Sequence, residues 1–382
     1  MQALSPKKTN YILMKTVLII VMGMCLSVLM ACSKKNEVVQ PSPSLVEKQP
    51  ITSADAINAI NAFHTNFYST SEKLYYSSTE HKNLAAIWTQ AIFWDMNMNA
   101  YQLTKNPDYL QRVEAIYQGA YQKYDKFNWE NRTEWFIYDD MMWWIISLAR
   151  AYELTGEEKY LIAAKAGFER VWRDSYDPKG GGMYWAFDHR GKTACINYPT
   201  VIGAMTLYRI TKDETYLQKA KDVYSWVSAT LFDHNTGKVA DHKVGTEPTN
   251  WKVHTYNQAT CIGAGVMLFM ATKTESYLKE AILAADYTKN IMSDSKGIMP
   301  FETGIEQGIY TAIFAQYIIR LIEDGKQPQY LPWLKLNIET GWRNRDARSL
   351  TYKNFNIPCP SGVVESYDAS GAPALMQLVV LP

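Results

Sequence analysis

Asp139 and Asp140 are adjacent carboxylates that open the run Met141-Met142-Trp143-Trp144. Ile145, Ile146, Leu148 and Ala149 continue it, which puts the acids at the N-terminal end of a helix of buried character. Charge in such a place is costly unless it is paired, solvated or used. Two carboxylates can divide the work of cleaving a glycosidic bond. A retaining mechanism needs them roughly 5–5.5 Å apart and an inverting one about 6.5–9.5 Å. Successive residues in a first helical turn diverge by about 100°, so short Asp side chains there reach the retaining separation more readily. One acid must be ionised and its neighbour protonated. Proximity promotes this, because the first charge raises the second group's pKa, and the free N–H groups of the helix start favour the ionised partner. Plain capping is the rival role for an Asp-Asp pair. Here Trp135-Phe136-Ile137-Tyr138 precedes the pair and two tryptophans follow it. Flat rings beside an acid pair favour catalysis on a sugar.

The elements that must position these acids come from a repeat. A turn with acidic residues, then Tyr-Leu, then a helix, recurs at Tyr109, Tyr160, Tyr216, Tyr277 and, faintly, Tyr330, at steps of 51, 56, 61 and 53 residues. Such periods indicate stacked units that cannot bury their faces alone. Each unit reads as two helices. One is apolar on more than one face and belongs inside; the other carries a single apolar stripe and covers it. The pattern predicts inner helices over 84–104, 138–155, 196–211, 254–273, 307–324 and 363–380. Outer helices are predicted over 54–69, 109–124, 158–173, 213–230, 275–292 and 329–345. Six of each give an all-α fold, a single-domain (α/α)6 barrel, with an open solenoid as the structural rival. The long connections Asp174–Lys192 and Phe232–His254 carry Gly, Trp and His, as loops over a site do. Gly180–Phe187 is expected to form one arm of a small hairpin on the rim.

If the inner helices all start at one end, their first residues converge on one funnel: Trp94-Asp95, Asp139-Asp140, Asn197-Tyr198, Tyr256-Asn257-Gln258 and Glu306-Gln307. Carboxylates, amides and rings suit a polyol. The substrate-binding candidates are Trp94, Asp95, Trp143, Trp144, Trp185, Asn197, Tyr256, Asn257 and Gln258. Each has a bland alternative. Trp94 and Asp95 fit a core ring beside a salt bridge, Asn257 fits a cap, and of Trp143 and Trp144, about 100° apart, at most one can line the cavity. Trp185, on a Gly-rich rim, fits a stacking platform.

Composition narrows the rest. With 39 basic and 38 acidic residues and no basic block, nucleic acid is not an expected partner. The 12 Trp and 26 Tyr are a surplus of rings suited to gripping sugars. No metal is expected, since the six histidines show no i, i+4 pair and no Cys cluster. Asp233–Gly237 lacks the downstream acids of a calcium loop and reads as a turn. No phosphate-cradling Gly loop or nucleophile elbow appears, and no cofactor is expected. Residues 1–32 read as a lipoprotein signal: Lys7, Lys8 and Lys15, a short apolar run, then Leu29-Met30-Ala31-Cys32, with Cys32 as the lipidated residue. Met14-Lys15 is the more natural start of such a signal. Residues 33–50 are a Pro-bearing tether, and 51–382 the globular domain. An exported lipoprotein of the outer membrane, on either face, is expected, touching the membrane only through its anchor and working as a monomer. Cys195, Cys261 and Cys359 then allow at most one disulfide, and buried single thiols are expected.

Over residues 54–380 the chain resembles glycoside hydrolase family 76, bacterial endo-α-1,6-mannanases of (α/α)6 fold. The resemblance is carried by Tyr138-Asp139-Asp140-Met141-Met142-Trp143-Trp144, Ala149-Arg150-Ala151-Tyr152 and Thr155-Gly156. Gly181-Gly182-Met183-Tyr184-Trp185, the stretch from Lys192 through Asn197 to Arg209, and Thr255-Tyr256-Asn257-Gln258 support it. It implies Asp139 as nucleophile, Asp140 as acid/base, retention, no metal, and α-1,6-mannan or manno-oligosaccharide as substrate. Ala259-Thr260 stands where the family usually has Gly after Asn-Gln, and Asn197-Tyr198-Pro199 where it has Asn-Gly-Pro. Both departures are expected near the funnel rim. A glycan-binding lipoprotein that does not cut, and another (α/α)6 enzyme such as a uronide hydrolase or lyase, are the rival functions. The latter should show cations at the inner-helix starts, which contain none.

Overall fold

Why this sequence closes into a ring is visible at its turns. Four inner helices end on Thr104, Thr155, Thr211 and Thr272, each of whose hydroxyls donates to the carbonyl four residues back. Each also accepts the N–H two residues on, at 3.2 Å. The intervening Lys105, Gly156, Lys212 and Lys273 are left-handed, with φ of 56°, 73°, 60° and 59°. Only Gly adopts that region freely, so the lysines carry roughly 1 kcal/mol each of backbone strain. The chain reverses at once into the next helix, where Asn106 and Asp213 cap the orphan N–H groups.

The computed structural model describes residues 50–380. The expected lipoprotein signal, with Cys32, and nearly all of the expected tether lie outside the described residues. The helices are α1 (Ser53–Phe67), α2 (Ile87–Thr104), α3 (Pro107–Lys123), α4 (Tyr138–Thr155), α5 (Glu158–Ser175), α6 (Ala194–Thr211) and α7 (Glu214–Leu231). They continue with α8 (Thr255–Thr272), α9 (Glu275–Tyr287), α10 (Tyr310–Glu323), α11 (Leu331–Arg343), α12 (Ser366–Ala369) and α13 (Gly371–Val380). A π turn over Thr288–Met292 extends α9, and a 3-10 turn over Glu306–Ile309 leads into α10. Inner helices α2, α4, α6, α8, α10 and α13 pack in a ring, each on the next, and α13 returns to α2. Outer helix α1 packs on α13 as well, so the ring is closed and the solenoid alternative falls. The inner helices are buried nearly all round, as in α8, where Thr255 through Leu268 are all enclosed.

The two long connections meet over one mouth of the ring. β1 (Lys192–Thr193) pairs antiparallel with β2 (His242–Lys243), Lys192 opposite Lys243 and Thr193 opposite His242. Gly180–Phe187 does not form a hairpin arm. Met183 makes a single bridge to Tyr176, and Ala186 one to Ile137, which ties this loop to the residue just before α4. Glycines and a left-handed turn at Gly181 and Gly182 interrupt any longer ladder. Asp233–Gly237 is a turn, with the Asp233 carboxylate accepting from Asn235 N–H and the Thr236 hydroxyl.

Buried amides pin these connections. Gln258 accepts from Val239 N–H at 2.6 Å and donates to the carbonyls of Gly237 and Ala284. Asn197 accepts from Met183 N–H at 2.8 Å and donates to the carbonyls of Met183 and Thr193. Gln90 holds Tyr75 in the same two-sided manner, and Asn337 holds Met299 and Gly297. A primary amide offers a donor and an acceptor side by side, the complement of an extended backbone segment.

Candidate active site

The mouth capped by β1 and β2 opens into a cavity of about 910 Å³. Asp139 and Asp140, in the first turn of α4, both line it. Trp143, one turn deeper on the same helix, lines it too while staying almost wholly buried. Across the cavity stand Tyr256 and Tyr310, stacked with ring centroids 4.0 Å apart and planes 18° off parallel. Phe136, Trp185 and Ile305 form an exposed apolar rim, at 53%, 39% and 78%.

The two acids are unequal. Burial raises the Asp139 carboxyl, but the Cys195 thiol, the Trp185 indole and the N–H groups of residues 139 and 140 oppose the rise by favouring its ion. Burial raises Asp140 as well, and there the charges of Asp139 and Glu306 add to the effect. A single proton shared by the pair therefore resides on Asp140, which leaves Asp139 ionised. Glu306 is held in the cavity wall by the Trp88 indole, whose N–H donates to it at 2.6 Å.

A second polar cluster lies on the facing wall. Asp241 accepts from His242 Nδ1 at 2.8 Å and from the Asn257 amide at 3.5 Å, with His254 Nε2 3.8 Å away. Burial pushes the His254 ring down and the Asp241 charge opposes it, so the imidazole is neutral at pH 7. Sequence reasoning did not single out Trp88, Asp241, His242, His254, Tyr310 or Cys195. The available signals were an aromatic residue in the first turn of α2 and the histidines of the Phe232–His254 connection.

Of the binding candidates, Trp143, Trp185 and Tyr256 line the cavity. Six others do not. Trp94 is fully buried between helices and donates to the Val113 carbonyl at 2.9 Å. Trp144 points outward from the ring and donates to the Ile87 carbonyl at 2.8 Å. Asp95 is buried below the floor in a pair with Arg150 at 2.8 Å. Asn197 and Gln258 spend their amides on the connections described above, and Asn257 supports Asp241 from behind. The departures from the family pattern also fall away from the rim, since Tyr198 and Ala259 are fully buried and Tyr198 packs edge-on against Tyr224. Cys195, Cys261 and Cys359 are free buried thiols.

A closed ring of six helical hairpins, with two neighbouring carboxylates in an aromatic-lined pit at the inner-helix starts, is the architecture of an (α/α)6 glycoside hydrolase. The model of glycosyl hydrolase family 76 matches residues 52–362, and the chain belongs to that family. The GH76A α-1,6-mannanase of Salegentibacter sp. HEL1_6 is 27% identical, with a TM-score of 0.79 over 86% of this chain and 98% of that one. A variant of that enzyme with two neighbouring aspartates replaced by alanine is inactive and was solved in complex with α-1,6-mannotetrose. More distant similarity runs to sugar-interconverting enzymes. The D-mannose isomerase of Marinomonas mediterranea is 26% identical over 172 residues, 37% of this chain and 43% of that one. The cellobiose 2-epimerase of Eubacterium cellulosolvens is 26% identical over 136 residues, 34% of each. The chain thus spans less than half the length of these two relatives.

Proposed function

We propose that the protein is a retaining endo-α-1,6-mannanase. The observation that carries this reading is the adjacent acid pair, Asp139 and Asp140 both lining one aromatic-walled cavity open enough for a chain to lie across it. The charges of Asp139 and Glu306, which add to the effect of burial on Asp140, favour keeping the proton there. Asp139 attacks the anomeric carbon as Asp140 gives its proton to the departing glycosidic oxygen, which forms a mannosyl-Asp139 ester. Asp140, now a carboxylate, takes a proton from water. The water oxygen displaces Asp139 and restores both groups to their starting state. Trp143, Trp185 and the Tyr256–Tyr310 pair offer ring faces to sugar C–H groups. The Salegentibacter mannanase, inactive without its own aspartate pair and bound to α-1,6-mannotetrose, supports both the chemistry and the substrate.

New reducing ends released from linear α-1,6-mannan test the reading. Asp139→Asn and Asp140→Asn should each lower turnover by about 10³-fold or more while the circular dichroism spectrum is unchanged. Near-normal turnover in either variant overturns the assignment. Sugar capture by wild-type protein without cleavage would favour a binding lipoprotein instead. The isomerase and epimerase similarity, together with His242 and His254 in the cavity wall, favours one further reading, proton transfer on a free sugar. Conversion of mannose to its ketose would select it. We also propose export and lipid attachment at Cys32, on the strength of the Leu29-Met30-Ala31-Cys32 box. Incorporation of labelled palmitate that survives Cys32→Ala would refute it.

A further inference from the structure

Four carboxylates line the cavity, those of Asp139, Asp140, Asp241 and Glu306, and among the described residues no Lys or Arg does. We propose that the cavity selects its substrate by charge: uncharged stretches of mannan enter and are cut, and stretches that carry anionic groups such as phosphate esters are turned away. The inference rests on the mannanase reading for the identity of the polymer.

Basic residues are not scarce around the mouth. They are held out of it. In the ribbon of β1 and β2, residues opposite each other share a face and successive residues alternate. Thr193 and His242 are opposite each other and both line the cavity, which puts the next pair, Lys192 and Lys243, on the outer face. Two like charges facing each other across a ribbon repel, and each lysine is drawn off by an acceptor of its own. Lys192 Nζ lies 2.7 Å from Asp177, and the ammonium holds that carboxyl well below the usual carboxylate range. Lys243 donates to the Glu247 carbonyl. Arg190 adjoins Gly191, which lines the cavity, yet its guanidinium pairs with Asp188 at 2.7 Å. Lys252, just ahead of α8, is exposed and outside the lining.

Inside, little offsets the acids. Even with one proton shared between Asp139 and Asp140, three carboxylates are left to carry charge. His242 bonds to Asp241 at 2.8 Å and, protonated, cancels one of them at most, while His254 is neutral at pH 7. The buried rings of Trp143, Tyr256 and Tyr310 in the walls keep out the water and salt that would screen the rest. Two like charges about 8 Å from a phosphate in such a setting weaken its binding by about tenfold or more. A mannose hydroxyl meets no such penalty, since carboxylates accept its hydrogen.

The test uses linear α-1,6-mannan densely phosphorylated on its free hydroxyls, beside the same preparation after phosphatase treatment. In low salt, kcat/KM on the phosphatase-treated chain should exceed that on the phosphorylated one by about tenfold or more. Raising the salt to about 0.5 M should narrow the gap several-fold, because salt screens charge and leaves bulk unchanged. Glu306→Gln removes one carboxylate and should narrow the gap as well. Ile305 is exposed at the rim and can take a cation without disturbing the core. Ile305→Lys should therefore narrow the gap, whereas Ile305→Gln, which loses the same side chain, should leave it as in wild type. Equal kcat/KM on the two chains overturns the proposal. So does a gap that salt, Glu306→Gln and Ile305→Lys all leave in place, since bulk alone then excludes the phosphate. A protein that cuts neither chain defeats the mannanase reading, and calorimetric affinities for the two chains still decide the selection by charge.

Discussion

Gln258 stands beside Tyr256, which lines the cavity, and its amide would suit a sugar hydroxyl, so Gln258→Leu separates a structural role from a binding one. Leucine nearly preserves the volume and removes all three hydrogen bonds. The Ala284 carbonyl keeps the Thr288 hydroxyl, 2.9 Å away. Val239 N–H and the Gly237 carbonyl are left buried with no partner. Two such groups, at about 1–3 kcal/mol each, cost roughly 4 kcal/mol. That is a large share of the roughly 5–15 kcal/mol that holds a domain folded. At about 2 °C per kcal/mol for a chain of this size, the melting temperature should fall by roughly 8 °C. Thermal and urea denaturation followed by circular dichroism measure it. Asp241 and His242 follow Val239 by two and three residues, so KM should rise as a secondary effect. Gln90→Leu is the comparison, because it releases Tyr75, which does not line the cavity, along with a longer bond to the Ala85 carbonyl, and it should cost similar stability with a smaller change in KM. If Gln258→Leu keeps the wild-type melting temperature and loses only affinity, Gln258 binds sugar and the pinning argument is wrong.

Two further substitutions probe charge. Glu306→Gln removes one of the two negative charges that, after burial, keep the proton on Asp140. The Asp140 pKa should fall, and since the general acid must be protonated, the basic limb of kcat/KM against pH should move down by roughly half a unit or more. A limb that stays in place refutes the coupling. Arg150→Met strands the buried Asp95 charge and should cost about 3–5 kcal/mol by urea denaturation, while Arg150→Met combined with Asp95→Leu recovers much of it. KM for the mannan should not change in either variant, and a rise would place Asp95 in the substrate site after all.

Most of the ring was legible because its signals are local. Inner helices are apolar all round, outer ones carry a stripe, and the Thr, the left-handed residue and the acidic first-turn residue of four of the turns leave a repeating trace around Tyr-Leu. The structure matches the predicted helices to within a few residues, except where tertiary contacts decide. Glu306–Ile309 tightens into a 3-10 turn before α10, the last inner helix divides at Ser370, and the Gly-rich rim makes single bridges in place of a hairpin.

The site was less legible, and helix phase explains which residues failed. Cavity-facing positions on each inner helix occupy one narrow arc, and about 100° of turn per residue carries a neighbour out of it. On α4, Asp139, Asp140 and Trp143 fall within about 100° of one another, while Trp144 is rotated about 100° beyond Trp143 and meets the Ile87 carbonyl instead. On α8, Tyr256 faces the axis, so Asn257 and Gln258 turn about 100° and 200° away, Asn257 toward the Asp241 carboxylate and Gln258 toward the loop backbone that it binds. From Cys195 to Asn197 the step is again about 200°. Trp94 lies about 120° off the face of Trp88, while Asp95 shares that face two turns deeper, beneath the floor that Trp143 makes. Residue type put an amide or a ring at a helix start. Whether it meets sugar or backbone depends on one angle per helix, and that angle is set by packing against the two neighbours in the ring, a contact no stretch of sequence contains. Within an inner helix, a residue two positions after a cavity-lining one should therefore behave as structure when it is replaced, whatever its chemistry.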